Sequence, residues 1–260
     1  MWHTWTLDPL ASWWMLVAVW NYTKLIPYLE KESKTYEFSV MLNWTTSSLD
    51  LGEEIEFISD ERQEKAKETI TLEKIQKIIW EKFMWEITQV PPKYSAIKID
   101  WIRAYELARK GEQVKMKERK ITIFEHDIIS YKYPELKLRA KVSAWTYIRT
   151  IAWDLWKELT TGWYVSVLRR TQIWNLDIKA STILEEVQIT DSLWVDKILD
   201  KKYFLEKFDA QHLERLNHWL VRIWKFDLEV NTPYFIYNWE KITNIVQYDG
   251  EKLRPLKKVC

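Results

Sequence analysis

The relation between tryptophan and glycine is the feature that most constrains how this chain can fold. The 260 residues include 18 Trp and only 4 Gly, whereas glycine alone normally makes up about 7% of a protein. Several Trp stand where a tight turn favours glycine, as in the pairs Asn43-Trp44, Asp100-Trp101 and Asn238-Trp239. Two-residue hairpin turns need a positive φ, which glycine adopts without steric cost. Folding would therefore force many indole side chains into backbone positions that suit glycine.

A large side chain in a glycine-type conformation costs on the order of 1–3 kcal/mol. About a dozen such sites would exceed the roughly 5–15 kcal/mol that stabilises a typical domain. We therefore interpret most of these Trp as glycines of the native protein, from a lineage that reads UGA as Gly. We leave Trp14 and Trp153 open, and the alternative is a Trp-rich sugar-binding or membrane-surface protein, which would keep its glycines. We expect UGA codons at Trp2, Trp5, Trp13, Trp44, Trp101, Trp145 and Trp239.

The charge of the chain is unevenly distributed, although the net value is only +1. From Pro91 to Arg170 there are 17 Lys and Arg against 9 Asp and Glu, and from Leu51 to Val90 there are 6 against 10. A basic segment beside an acidic one suits a polyanion held on one face, and solvated surface charge is the simpler alternative. The only cysteine, Cys260, excludes internal disulfides and fits a reducing cytoplasm. The longest apolar run, at 13–20, is too short to span a bilayer.

Hydrophobic periodicity predicts an α+β fold with a mostly antiparallel sheet. Thr71 is predicted to cap a helix that runs to about Phe83. After a link around residues 190–202, short strands predict a separate small β-rich module. The predicted strands are Tyr36–Asn43 paired with Glu54–Ile58, Lys120–Ile129 and Leu136–Ser143, and the other predicted helices are Ile102–Lys110, Tyr147–Leu159 and Ala210–His218.

Few residues carry an obvious chemical signal when the sequence is taken alone. Asp8 precedes Pro9 in a polar loop, where an aspartate is usually a turn residue. Arg149 stands near the start of a predicted helix, where positive charge is disfavoured, and this indicates a specific carboxylate or phosphate partner. Arg169 and Arg170 add two adjacent guanidinium groups. No spacing is typical of a metal site, a phosphate loop or a Ser-His-Asp triad.

Restoring glycine at Trp2, Trp5, Trp13 and Trp20 changes the meaning of the first residues. They become G-H-T-G-T-L-D-P-L-A-S-G, which closely resembles the catalytic motif of the TruB family, whose members make pseudouridine in the T loop of tRNA. Further motifs follow in family order and extend the resemblance over roughly residues 2–180. They are Lys34–Tyr36, Gln89–Lys98 with Arg103–Gly111, Trp145–Thr150 and Leu168–Arg170.

The resemblance implies the pseudouridine synthase fold and a division into two domains. The catalytic domain would occupy residues 1–195 and carry an RNA-gripping insertion at about 89–119. A PUA-like RNA-binding module would occupy residues 203–260. Family members begin with a strand and a helix that carry a Lys-Pro motif, so we expect the catalytic domain to be truncated at its N-terminus in this sequence.

The same resemblance implies three catalytic residues. Asp8 matches the catalytic aspartate, which acts on the flipped uridine either by attacking the sugar or by removing a sugar proton. Arg149 matches the arginine that keeps this carboxylate ionised and in position. Tyr36 matches the tyrosine that lies against the target base and handles the C5 proton.

Six further residues are implied to bind the substrate. His3 would fill the space that flipped bases vacate, and Tyr147 would contact the substrate beside Arg149. Leu168 would form the floor of the pocket, and Lys24 would support the catalytic loop. The remaining two, Arg169 and Arg170, would face phosphate.

The function implied is isomerisation of uridine 55 in the T loop of tRNA by a cytoplasmic monomer that binds neither DNA nor membrane. No cofactor or metal is expected, because the uracil is detached, rotated and rejoined at C5 without redox change. The alternative is a tRNA-binding folding chaperone, but a pure binder has no use for the set Asp8, Tyr36 and Arg149. A guide-RNA-dependent enzyme is disfavoured because the insertion at 94–111 resembles that of stand-alone members.

Overall fold

The structure is a computed structural model that describes residues 2–3, 8, 11–29, 33–46, 55–112, 114–182, 186, 198–199, 201–205, 228–238 and 241–259. The strands are β1 (Trp2–His3), β2 (Ser12–Trp13), β3 (Val17–Ala18), β4 (Lys34–Met41), β5 (Trp44–Thr46), β6 (Ile55–Phe57), β7 (Trp85–Gln89), β8 (Lys98–Ile99), β9 (Ile102–Arg103), β10 (Arg119–Lys132), β11 (Glu135–Val142), β12 (Val165–Ile173), β13 (Leu176–Asp177), β14 (Phe204–Leu205), β15 (Pro233–Asn238), β16 (Lys241–Tyr248) and β17 (Leu253–Lys258). The α-helices are α1 (Ile26–Leu29), α2 (Asp60–Thr69), α3 (Leu72–Lys82), α4 (Ala104–Arg109) and α5 (Ile148–Leu159). Short 3-10 turns lie at Trp20–Leu25, Ile178–Ala180 and Lys201–Tyr203.

A seven-stranded sheet forms the centre of the larger part of the molecule. Its strand order is β13-β12-β4-β11-β10-β7, and β2 pairs with the β12 strand. Every pair is antiparallel except β2 with β12. The predicted α+β fold with a mostly antiparallel sheet is therefore confirmed.

The core of this sheet forms because one face of each central strand is apolar. Phe38 lies opposite Leu138 on β11 and Leu168 on β12, and all three side chains are buried. Helix α5 covers this face with residues such as Ile151 and Leu155. Their spacing of three to four residues places them on one side of the helix.

The chain divides into two compact units. The first unit comprises Met1–Thr4, Leu16–Glu30 and Ala180–Cys260, and the second comprises Trp5–Met15 and Lys31–Lys179. The first unit contains the sheet β14-β15-β16-β17, which agrees with the predicted β-rich C-terminal part. Residues 16–30 group with the C-terminal residues, whereas the family resemblance implied a catalytic domain over residues 1–195. The physical reason for this grouping is burial of Leu25 and Leu29 with Phe235, Ile242 and Ile245 in one apolar cluster.

Local predictions agree with the structure where the signal is confined to one element. The Thr71 hydroxyl accepts a hydrogen bond from the Lys74 backbone N–H at 3.3 Å and caps helix α3. Strands β10 and β11 and helix α5 also lie where they were predicted. The predicted helix Ala210–His218 lies outside the described residues. No helix in the described ranges is long and apolar enough to cross a membrane.

One predicted strand pairing is wrong. Glu54–Ile58 was expected to pair with Tyr36–Asn43, but β6 pairs with β5 in a separate ribbon. Both edges of β4 are already taken by β11 and β12, and the β12 strand was not predicted. Pairing of β4 with strands about 100 residues away depends on the whole sheet, which local periodicity does not encode.

Positive φ angles concentrate at tryptophan. Of the eight described residues other than glycine with positive φ, five are Trp. The two-residue turn between β8 and β9 has φ of 47° at Asp100 and 70° at Trp101, as a type I′ turn requires. The indole of Trp101 is 90% exposed, so burial does not offset the backbone cost. The others are Trp20 (48°), Trp85 (65°), Trp145 (68°) and Trp174 (48°).

Candidate active site

The candidate site centres on an ion pair between Asp8 and Arg149. The Arg149 Nε donates to Asp8 Oδ2 at 2.6 Å, and its Nη2 donates to Asp8 Oδ1 at 2.7 Å. The arginine side chain is 3% exposed and the aspartate side chain is 21% exposed. Two parallel charge-assisted hydrogen bonds fix both groups in one plane. The carboxylate is therefore held rigidly from the protein side and is still open to solvent.

The polypeptide on each side of this pair explains its geometry. The Asp8 carbonyl oxygen accepts a hydrogen bond from the Ala11 N–H at 2.9 Å, which ties the main chain of Asp8 to that of Ala11. Arg149 is the second residue of helix α5, and its Nη2 also donates to the Tyr94 carbonyl oxygen at 3.0 Å. The unusual arginine at a helix start thus has a carboxylate partner, as the sequence indicated.

Tyr147 immediately precedes helix α5 and is held on two sides. The guanidinium carbon of Arg119 lies 4.8 Å from the centre of its ring, within the range of a cation–π interaction. Its main chain is hydrogen-bonded by the side chain of Gln89. The structure thus adds Arg119 and Gln89 to the predicted surroundings of Arg149.

Tyr36 and Arg170 face each other across strands β4 and β12. Tyr36 is 6% exposed and Arg170 is 0% exposed. Burial raises the pKa of Tyr36, Arg170 opposes this shift, and the nearby Asp8 carboxylate adds to it. Burial also lowers the pKa of Arg170, and Tyr36 opposes that change. Tyr36 and Asp8 are therefore close enough to interact electrostatically.

The expectation that both arginines of β12 face phosphate needs correction for Arg170. Its Nη2 donates to the Trp14 carbonyl oxygen at 2.8 Å, inside the protein. Successive side chains on a strand point to opposite faces of the sheet, so Leu168 and Arg170 share the buried face. Arg169 lies on the opposite face, exposed and in register with Glu37. Of the two arginines, only Arg169 has the exposure that a phosphate contact needs.

His3 and Lys24 belong to the first unit, whereas the other predicted site residues belong to the second. His3 is exposed on β1, opposite Val17 of β3. The Lys24 Nζ donates to the Lys258 carbonyl oxygen at 2.7 Å. The contact shown for Lys24 thus ties it to the C-terminal strand, and the predicted roles of both residues stay predictions.

A cavity elsewhere in the larger unit is separate from the Asp8–Arg149 pair. A cavity of about 500 Å³ lies between α3 and β10, and its lining includes Ile79, Trp80 and His126 but none of the predicted site residues. Within the described ranges, no group of three or more His, Cys, Asp and Glu residues could hold a metal ion.

Three groups near Arg149 were not predicted individually from the sequence: Gln89, the Tyr94 carbonyl and Arg119. Gln89 stands at the start of a motif that we interpreted only as gripping RNA, and a polar residue at the end of a strand gives no sign of its partner. The Tyr94 carbonyl is a main-chain group, so its role leaves no trace in residue type. Arg119 lies among other basic residues and could not be told apart from solvated charge.

Comparison with solved structures defines the class of fold. The structure is similar to a chain in the crystal structure of a Cbf5-Nop10-Gar1 complex, with a TM-score of 0.69 and 16% identity over 99% of this chain and 76% of that chain. A chain in the archaeal box H/ACA sRNP Nop10-Cbf5 complex gives a TM-score of 0.67 with 14% identity, over 99% of this chain and 76% of that one. At these identities the likeness concerns the fold alone.

Sequence comparison then identifies the family. Residues 1–148 match the TruB family pseudouridylate synthase N-terminal domain. A tRNA pseudouridine synthase B of Flavobacterium johnsoniae is 37% identical over 71% of this chain and 79% of its own length. An enzyme of the same name from Endomicrobium trichonymphae is 40% identical over 76% of this chain and 81% of its own length. Another, from Caldanaerobacter subterraneus subsp. tengcongensis, is 33% identical over 97% of this chain and 87% of its own length. The chain belongs to the TruB family of pseudouridylate synthases.

Proposed function

We propose that this chain is a tRNA pseudouridine synthase that isomerises uridine 55 in the T loop, with Asp8 as its catalytic carboxylate. The observation that carries the proposal is the two-bond ion pair between Asp8 and Arg149, in a chain whose similar relatives are named tRNA pseudouridine synthase B. A fixed carboxylate with one side open to solvent is the group that cleavage of the N-glycosidic bond requires.

The reaction breaks the bond between uracil N1 and ribose C1′ and forms a bond between C5 and C1′. The proton of C5 is lost and N1 gains a proton, so the overall change is an isomerisation. Asp8 acts at the sugar, either as nucleophile or as base, and both roles need the ionised form. Arg149 holds the carboxylate in place through two charge-assisted hydrogen bonds. Its second contact, to the Tyr94 carbonyl, keeps the guanidinium in position while the carboxylate reacts.

Tyr36 supplies the surface for the base and a group for proton transfer at C5. Burial raises its pKa, so the phenol is protonated and neutral at pH 7 and can lie against uracil without desolvating a charge. Arg170 lies opposite its hydroxyl and favours negative charge there. This arrangement suits a tyrosine that passes a proton without remaining ionised.

RNA binding would involve the rest of the chain. We assign tRNA contacts to Arg169, His3 and the exposed residues of the insertion at about 89–119, which do not include the buried Gln89, and a PUA-like role to residues 203–260. We further propose that the enzyme acts as a monomer. A tRNA substrate and a single cysteine, Cys260, support the cytoplasm as the place of action.

We also propose that UGA encodes glycine at most Trp positions of this chain. The five Trp with positive φ support this, because the left-handed region costs a bulky residue about 1–2 kcal/mol and glycine almost nothing. The structure suggests adding Trp85 and Trp174 to the positions expected from the sequence. The codons and the masses of native peptides that contain Trp101 or Trp145 test the idea. Native peptides with tryptophan at both positions would contradict it.

The activity is tested by tritium release from tRNA labelled at uridine C5. Two forms of the full chain are assayed: the parent chain, and a variant in which Trp20, Trp85, Trp101, Trp145 and Trp174 are replaced by glycine. We expect Asp8→Asn to abolish release while tRNA affinity changes little, because affinity comes mainly from phosphate contacts. Asp154→Asn is the matched control. Asp154 also pairs with a cation, Lys157, at 3.2 Å, but it is not among the buried residues of helix α5.

The outcomes separate the proposed enzyme from the chaperone alternative. Release by the parent chain and by Asp154→Asn, but not by Asp8→Asn, supports the enzyme. A folded chain that binds tRNA tightly without any release supports a chaperone. Equal release by Asp8→Asn would remove Asp8 from the catalytic role.

A further inference from the structure

We propose that Gln89 is a positioning residue, which holds the main chain at the start of helix α5 and thereby sets the orientation of Arg149 against Asp8. This inference rests on the proposed function and extends it to a residue that does not touch the substrate. Gln89 lies at the end of strand β7 and is 1% exposed.

The side chain of Gln89 uses both ends of its carboxamide on one residue. Its Nε2 donates to the Tyr147 carbonyl oxygen at 3.1 Å, and its Oε1 accepts from the Tyr147 N–H at 2.9 Å. The two bonds together fix the peptide groups on both sides of the Tyr147 Cα. Glutamine is suited to this task because one planar group both donates and accepts.

The start of helix α5 needs such support. Tyr147 is the N-cap residue, and no side chain caps the helix in the usual way. Its carbonyl oxygen accepts from the N–H groups of Thr150 and Ile151, each at 3.2 Å. The first turn therefore depends on where this carbonyl is held, and Gln89 supplies a third bond to the same oxygen.

The position of this turn determines whether the catalytic ion pair can form. Arg149 follows Tyr147 by two residues, so movement of the turn carries its guanidinium along. Its bonds to Asp8 are 2.6 and 2.7 Å long, and a shift of about 1 Å would take them beyond good hydrogen-bonding geometry. Misplacement of about this size can cost on the order of 100-fold in rate.

The same stretch of chain supports the arginine at a second point. Tyr94 lies five residues after Gln89, beyond the buried Pro91 and Pro92, and its carbonyl oxygen accepts from Arg149 Nη2 at 3.0 Å. Opposite Gln89 in the sheet is Arg119, whose guanidinium covers the Tyr147 ring. The residues around Gln89 thus hold both the main chain and the ring of Tyr147.

The test replaces Gln89 with a residue of similar length that cannot hydrogen-bond. We expect Gln89→Met to lower kcat by about 10- to 100-fold, with the Kd for tRNA changed by less than about 3-fold. Gln63→Met is the matched control, because Gln63 Nε2 also donates to a main-chain oxygen, that of Ile58 at 2.9 Å. The control should keep its kcat.

A second readout reports on Arg149 directly. The Nε–H of Arg149 should exchange slowly with solvent and give a distinct NMR resonance in the parent chain, because it is buried and bonded to Asp8. Gln89→Met should speed up this exchange, and Gln63→Met should not. If Gln89→Met does not fold, Gln89→Asn is used, since it keeps a buried carboxamide but is one methylene shorter and cannot hold both bonds to the main chain of Tyr147.

The outcomes distinguish this inference from the proposed function. A folded Gln89 variant with unchanged kcat and unchanged Arg149 exchange overturns the positioning role. A loss of kcat equal to that of Gln63→Met also overturns it, because the effect would then be general destabilisation. No turnover by the parent chain, with Arg149 exchange still sensitive to Gln89, contradicts the proposed function and leaves the positioning role supported.

Discussion

At the scale of single residues, the proposed chemistry depends on the groups that surround Arg149. A guanidinium that is 3% exposed would be costly without partners, and here Asp8 and the Tyr94 carbonyl supply three hydrogen bonds. The planar fork of arginine matches the two oxygens of a carboxylate, whereas the ammonium of lysine acts as a point charge.

Substitution of Arg149 should therefore damage catalysis more than tRNA binding. Removing one partner of a buried pair typically costs about 3–5 kcal/mol, so Arg149→Ala should lose activity and stability together. Arg149→Lys should recover part of both.

Measurements of turnover at saturating tRNA and of tRNA affinity against salt separate two roles for Arg149. A phosphate ligand would give weaker tRNA binding, a smaller salt slope and an unchanged turnover at saturating tRNA. That combination would contradict the ion pair as the function of this residue.

His126 predicts how stability depends on pH. Its ring nitrogens are buried, and burial lowers its pKa from 6.5 to about 4, although the Phe83 main chain opposes the shift. Between these values the unfolded chain binds a proton and the folded chain does not. The free energy of unfolding should therefore fall as pH drops from 6.5 to about 4, by up to about 3 kcal/mol from this group.

Chemical denaturation at several pH values checks this expectation. His126→Gln should flatten the dependence in that pH window and leave the slope above pH 7 unchanged. An unaltered slope between pH 4 and 6.5 would mean that His126 does not control the acid response.

At the scale of elements, the sequence predicted those whose signal is local. Thr71 and an apolar face identified α3, and alternation identified β10 and β11. The β12 strand was missed because Leu168–Arg170 interrupts alternation with two adjacent arginines, one buried and one exposed. Register brings Arg170 opposite Tyr36, and no local pattern contains that information. The Asp8–Arg149 pair was found only through a family resemblance, since 141 residues separate its partners.

The turn between β8 and β9 gives an element-scale prediction. Trp101 has φ of 70° and is 90% exposed, so Trp101→Gly should stabilise the protein by about 1 kcal/mol. Trp80→Gly is the control, because Trp80 is also exposed, at 70%, but lies inside helix α3. Glycine there should destabilise by about 0.5–1 kcal/mol.

Thermal unfolding of the two variants compares them directly. The Tm should rise for Trp101→Gly and fall for Trp80→Gly. A lower Tm for both would show that the indole at Trp101 contributes more than its backbone strain costs.

At the scale of the whole molecule, the sequence indicated a β-rich C-terminal part but not the full membership of each unit. Residues 16–30 group with the C-terminal unit, because the apolar residues of α1 are buried against strands more than 200 residues away in sequence. An apolar face on a short helix predicts burial, but it does not indicate which sheet covers it. The excess of basic residues at 91–170 and of acidic residues at 51–90 can be read from the sequence. Such a charge distribution indicates which partners a protein binds and does not determine its fold.

The proposed conversion of uridine 55 of tRNA to pseudouridine through Asp8 can be tested at the modified nucleotide itself. Pseudouridine is mapped along a tRNA transcript by chemical modification and primer extension after incubation with the enzyme. We expect one modified position, number 55, with the parent chain, and none with Asp8→Asn or with a transcript carrying cytidine at that position. Modification at another position, or an equal signal with Asp8→Asn, would contradict it.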